Sequence, residues 1–226
     1  MSSVLLYHGL TNPSGLTEIR RDLPNDPQCI GRKNMDFGAG FYLTPSAIQA
    51  MEWSVRNGTD GSINYYLLKL DNLKILNLDP KETSLLYGVG EIIDNRKFIW
   101  ISSLAYDWIY DWIKKNWCIG KQKYDIILGY TADDQCFSIY KDFFNNQLSF
   151  KGLCKAILLG GLGYQYVIKS EKGYNNLIKF KNSETIACFT FGPLTENRRN
   201  LAKYHYSLIR KEHSDPKTDE LFFSIY

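Results

Sequence analysis

Asp36-Phe37-Gly38-Ala39-Gly40-Phe41-Tyr42-Leu43-Thr44 is the stretch on which the fold turns. Three small residues precede an aromatic pair, so the backbone bends tightly into a short strand that presents one aromatic. Thr44-Pro45 then reads as a helix N-cap with proline at the first helical position. That helix runs to about residue 57 and stops at Gly58, with Ile48, Met51 and Val55 as its core face. A glycine turn feeding a strand and then a helix builds one wall of a pocket.

Two other stretches have the same character. Leu5-Leu6-Tyr7-His8-Gly9 is a short apolar run that ends in a polar side chain and a glycine. Gly163-Tyr164-Gln165-Tyr166-Val167-Ile168 opens with a polar residue and continues apolar. Both read as strands, over 4–8 and 164–169. Further strands are predicted at 63–70, 74–78, 124–130 and 185–191. Helices are predicted at 99–117, 133–146, 148–159 and 195–212, with a helical turn at 172–178 and a loose tail over 214–226. Residues 10–35 read as loop with one short helix. Strands fall early and late among helices, so the fold class is α+β rather than an alternating βαβ chain. The domain reading is a main unit over 1–192 and a basic C-terminal helix and tail over 193–226.

The bulk numbers narrow the class without deciding it. The 226 residues suit one domain with a small appendage. Hydrophobic content of 44% and charged content of 23% are those of a soluble globular chain. Aromatic content of 15% is high and suits a stacking ligand as well as a core. A net charge of +3 is too small to argue for nucleic acid. No run of about 18 apolar residues occurs, and the N-terminus has no secretory pattern, so a cytoplasmic protein with no membrane association is expected. The five cysteines are scattered and none pairs with histidine at metal-ligand spacing. Neither a zinc site nor a disulfide framework is expected.

Taken together, His8-Gly9, the segment 36–44 with Tyr42, and Gln165 resemble the His, Tyr and Glu/Gln stations of ADP-ribosyltransferases of the diphtheria-toxin and poly-ADP-ribose-polymerase type. The resemblance covers roughly residues 4–180. It looks closest to small stand-alone bacterial domains with a YHG start, a DFGxGFYxT centre and an ADD segment before the last motif. It implies a split β-sheet core and a mono-ADP-ribosyltransferase that cleaves NAD and transfers ADP-ribose to a protein or nucleic-acid acceptor, without a metal. His8 would hold a ribose hydroxyl and the Gly9 backbone the carboxamide. Tyr42 would stack on nicotinamide, with Trp53, eleven residues on, as the second aromatic. Gln165 would face the reacting ribose. Asp36 would orient NAD or an acceptor. Arg20, with Arg21, Arg32 and Lys33, reads either as solvated loop charge or, as the resemblance implies, as the group that meets the pyrophosphate. Such domains are often encoded beside a small protein in the manner of toxin and antitoxin, so the resemblance also implies a partner of that kind.

Gln165 departs from the charged Glu of polymerising members. That argues against chain elongation and leaves a single transfer, an NAD glycohydrolase, or a non-catalytic NAD or ADP-ribose binding module. Asp133 and Asp134 read either as helix caps or as acidic groups at the cleft mouth. Arg198, Arg199, Lys203, Arg210 and Lys211, interleaved with Tyr204 and Tyr206, read either as a surface helix or as a nucleic-acid contact. An RNA-end-modifying relative and an interaction protein with Trp108 and Trp112 on one helix face are the remaining readings.

Overall fold

The computed structural model describes residues 2–11, 35–78, 82–96, 104–119, 124–131, 137–159 and 163–214. Within them lie seven strands: β1 (Ser3–Leu10), β2 (Phe41–Leu43), β3 (Gly61–Lys69), β4 (Ile75–Asn77), β5 (Ile126–Tyr130), β6 (Tyr164–Ile168) and β7 (Leu177–Ile186). The helices are α1 (Ala47–Val55), α2 (Glu82–Arg96), α3 (Leu104–Trp117), α4 (Phe137–Phe144), α5 (Phe150–Leu159), α6 (Glu171–Asn175) and α7 (Cys188–Glu212). The class is α+β.

The strands form two sheets, one ordered β1-β3-β7 and one ordered β2-β6-β5-β4. All pairings are antiparallel except β4 with β5. The sheets touch edge to edge at one place, where Tyr7 and Thr44 exchange backbone hydrogen bonds of 2.8 and 3.0 Å. They also pack face to face. Leu6, Tyr66 and Leu68 of the first sheet meet Phe41, Leu43, Ile126 and Ile168 of the second in one apolar seam. The far face of the second sheet, bearing Tyr42, Ile127 and Val167, is buried under α2, α3, α4, α5 and Ile209 of α7. The far face of the first sheet is covered by Ala50 and Val55 of α1. Alternation along each strand assigns successive residues to opposite layers, which gives each layer its own core.

Several elements differ from the sequence reading. The N-cap of α1 is Ser46, whose hydroxyl accepts from the Gln49 N–H at 3.3 Å, and not Thr44. Thr44 is held in the bridge to Tyr7, so the helix begins two residues later. Ile48 is 60% exposed rather than core, because the buried stripe runs through Gln49, Ala50 and Ser54 instead. The helical turn expected at 172–178 is α6, Glu171–Asn175, but the strand after it begins at Leu177 rather than Thr185 and ends at Ile186, and 188–191 open a helix rather than extend that strand. Lys179 and Lys181 interrupt the apolar pattern of β7, which is an edge strand where lysine is at home. Helix α2 has no counterpart in the sequence reading. Helix α7 packs on α1 and α5 and runs continuously through residue 192.

Candidate functional site

His8, Tyr42 and Gln165 lie on three laterally adjacent strands, β1, β2 and β6. The imidazole of His8 sits 4.6 Å from the Phe41 ring, and its Nδ1 lies 2.7 Å from the Tyr42 carbonyl oxygen. A carbonyl only accepts, so Nδ1 carries the proton, and in the neutral ring Nε2 is an acceptor. The His8 side chain thereby ties β1 to β2 beside the point where their pairing ends.

Gly9 has two features that follow from its place. A Cβ there would lie 2.0 Å from the Ala50 carbonyl oxygen and 3.0 Å from the Ser54 nitrogen, so only glycine lets α1 press onto β1. Its peptide groups also have a defined direction. Tyr7 turns its N–H and C=O toward β2. Two residues on, strand alternation turns those of Gly9 to the same edge, where no described strand pairs with them. This is a short peptide edge next to His8 that pairs with no described strand.

The glycine turn at 36–40 is held by two side chains, Tyr42 and Lys169. Gly38 has φ of +70°, a conformation that glycine adopts without strain. The Tyr42 hydroxyl accepts from the Phe37 N–H at 3.0 Å and donates to the Gly38 carbonyl at 2.6 Å. Lys169 Nζ donates to the carbonyls of Phe37, at 2.6 Å, and Ala39. Burial pushes the Lys169 ammonium below its usual range, and Glu91 partly offsets this. The ring that the motif suggests as a stacking platform is thus turned into the core, with Tyr42 only 8% exposed. Burial, followed by the Asp36 charge, raises its phenol well above the ordinary value. Trp53 is half-buried on α1 and one turn beyond Gln49 on the same stripe.

Gln165 and Asp36, 129 residues apart, meet directly. Gln165 Nε2 donates to Asp36 Oδ2 at 2.9 Å and to the Tyr130 carbonyl at 3.2 Å. Arg96 at the end of α2 donates from Nε to Asp36 Oδ1 at 2.7 Å, and its second nitrogen, Nη2, is 2.6 Å from the same oxygen. Asp36 and Gln165 are each 2% exposed, so Asp36 is a buried support rather than a group at a cleft mouth. Next to this cluster lies a second one. Thr44 Oγ1 donates to Gln49 Oε1 at 2.5 Å, and Gln49 Nε2 donates to Thr131 Oγ1 at 3.1 Å.

Arg96, Gln49, Thr131 and Lys169 were not found by sequence reasoning. A lysine closing the apolar run of β6 was a usable signal for Lys169. A glutamine on the buried stripe of α1 was one for Gln49. Arg96 gave none, since its partner lies 60 residues away. Arg20, Arg21, Arg32, Lys33, Asp133 and Asp134, and the side chain of Trp108, lie outside the described residues. On α7, Arg198 pairs with the buried Glu52 at 2.5 Å and Arg210 with Asp142 at 3.1 Å, which leaves a less basic helix than its composition suggests. Among the described residues no helix is long and apolar enough to cross a membrane.

Fold and site together define an α+β protein with two sheets joined at a polar junction. The chain belongs to the family described as a protein of unknown function (DUF3990), whose model matches residues 6–180. No curated protein and no solved structure matches it.

Proposed function

We propose that this protein is a cytoplasmic mono-ADP-ribosyltransferase that uses NAD as its substrate. The observation that carries the reading is the side-by-side order of β1, β2 and β6, which sets His8-Gly9 and Gln165 on either side of the Tyr42 strand. The N–H and C=O of Gly9, which pair with no described strand, match the acceptor and donor of a carboxamide such as that of nicotinamide. His8 stands next to it for a ribose hydroxyl. Trp53 takes the stacking role, because the Tyr42 ring is spent on the glycine turn. In the reaction the bond from ribose C1′ to the nicotinamide nitrogen breaks and nicotinamide leaves as a neutral molecule. An acceptor oxygen or nitrogen attacks C1′ and gives up a proton. The acceptor is a protein or nucleic acid, and a small partner protein restrains the activity in the manner of an antitoxin.

A second reading, an NAD or ADP-ribose binding module, is favoured by one feature: Gln165 has no charge with which to stabilise an oxocarbenium-like state. Incubation with NAD labelled in the adenine moiety and a cell lysate separates the two. Wild type should release nicotinamide and label a macromolecule, and Gln165→Ala and Trp53→Ala should each lower the rate at least about a hundredfold with folding retained. NAD binding with no nicotinamide release would establish the module instead. Full activity in both variants would remove the assignment.

A further inference from the structure

A glutamine amide is ambiguous by itself, since a half-turn about its last bond exchanges nitrogen for oxygen. At Gln165 the surroundings decide. Both groups in front of the amide nitrogen are acceptors, the Asp36 carboxylate at 2.9 Å and the Tyr130 carbonyl at 3.2 Å. The flipped amide would set oxygen against oxygen in both contacts with no proton between. The Asp36 carboxylate is itself divided, with Oδ1 given to Arg96 and Oδ2 to Gln165. All this happens at 2% exposure, where an unmet polar contact is costly. The Gln165 oxygen then points away from Asp36 and accepts from no described residue.

We propose that Asp36 and Arg96 are positioning residues that lock Gln165 as a hydrogen-bond acceptor, so that the position selects a hydroxyl donor on the bound nucleotide. The identity of that nucleotide rests on the ADP-ribosyl reading above, whereas the lock itself does not. The pair also gives a physical reason for glutamine in place of glutamate. A second carboxylate at 165 would lie against Asp36, and like charges at that range disfavour ionisation. Glutamine at 165 and aspartate at 36 are therefore a matched set. Exchanging both, as Asp36→Asn with Gln165→Glu, restores a donor facing an acceptor between the two positions, and the amide oxygen introduced at position 36 still serves Arg96, while a carboxylate oxygen replaces the donor that faced the Tyr130 carbonyl.

Two measurements test this. The first needs no NAD: amide exchange of the Gln165 side chain by nitrogen-15 NMR, with the exposed Gln147 amide as reference. Wild type should show two separate Gln165 protons, slowed at least about tenfold, and Asp36→Asn should lose that protection. The second compares turnover of NAD with that of its 2′-fluoro-2′-deoxy analogue, which keeps an acceptor and loses the donor. Wild type should prefer NAD about a hundredfold or more. Asp36→Asn should lower kcat about tenfold with KM within about threefold, and reduce the preference to less than about tenfold. Gln165→Glu alone should be impaired and the double exchange should recover part of the loss, since the Tyr130 contact is not restored. If Asp36→Asn fails to fold, Arg96→Lys perturbs the same contacts more gently. Freely exchanging Gln165 protons in wild type, or an Asp36→Asn variant that keeps full preference, would overturn the proposal. Wild type that neither binds nor cleaves NAD would remove the ADP-ribosyl reading and the ligand assignment with it, while the amide resonances still decide the lock.

Discussion

The two faces of the β2-β6-β5-β4 sheet treat polar groups in opposite ways. On the helix-covered face, the Tyr42 hydroxyl makes two hydrogen bonds, and Asp36 accepts from both Gln165 and Arg96. In the seam against the first sheet, Ser62 Oγ, the Asn64 amide and the hydroxyls of Tyr66 and Tyr174 are buried without a hydrogen-bond partner among the described residues. Three of these four, Ser62, Asn64 and Tyr66, alternate on one face of β3, opposite Leu10, His8 and Leu6. One face is a precise scaffold and the other carries unspent polar capacity. The bonded groups lie around Gln165 on β6, and the unpartnered ones lie in the tightly buried seam beside His8.

The most severe way to break the contrast is Arg96→Ala. It takes the guanidinium away from the buried Asp36 carboxylate and should cost about 3–5 kcal/mol, read as a large fall in the urea midpoint. A sharper comparison deletes the same atom on both faces. Tyr42→Phe should destabilise by about 1–3 kcal/mol, because Phe37 N–H and Gly38 C=O lose their partner inside the core. Tyr66→Phe removes a hydroxyl with no described partner and should change stability by about 0–1 kcal/mol in the favourable direction. Equal costs for the two variants would erase the distinction between the faces.

The smallest effect concerns Cys118, just past the end of α3 on the helix-covered side. Burial, and then the Glu91 and Asp94 charges, push its thiol up to about 12. The raised value belongs to the folded state, so this group's contribution to stability is intact below the ordinary thiol pKa and is lost as pH rises toward 12. Native Cys118 should therefore alkylate far more slowly at a pH of about 8 than in the urea-unfolded chain, as followed by mass spectrometry. Equal rates would show that this side is wetter than the structure has it.

What the sequence made legible was local. The strands around His8, Tyr42 and Gln165 and the helix after Tyr42 are written in short apolar runs and glycines, and the structure sets these strands side by side. The partnerships were not legible. Asp36 reads as a loop acid until Arg96 and Gln165 are brought to it from 60 and 129 residues away. Tyr42 reads as an offered ring, because nothing in its spacing reveals that its hydroxyl turns back to Phe37 and Gly38. Strand β7 was hidden by lysines that suit an edge, and the first turn of α7 by Phe189 and Phe191, whose strand preference gives way to the helix. Propensity describes a segment's own preference, and these segments are decided by what they pack against.

The order of the second sheet has a consequence for biosynthesis. Among the described residues, Phe41–Leu43 pairs within that sheet with Tyr164–Ile168 alone. At about 5–20 residues per second, the partner strand is made roughly 6–25 s after the segment that needs it. For that interval Phe41-Tyr42-Leu43 is an apolar strand on a ribosome-bound chain, without the β6 partner that later buries it. A message that slows translation between codons 44 and 164 lengthens that interval and should lower the yield of folded protein.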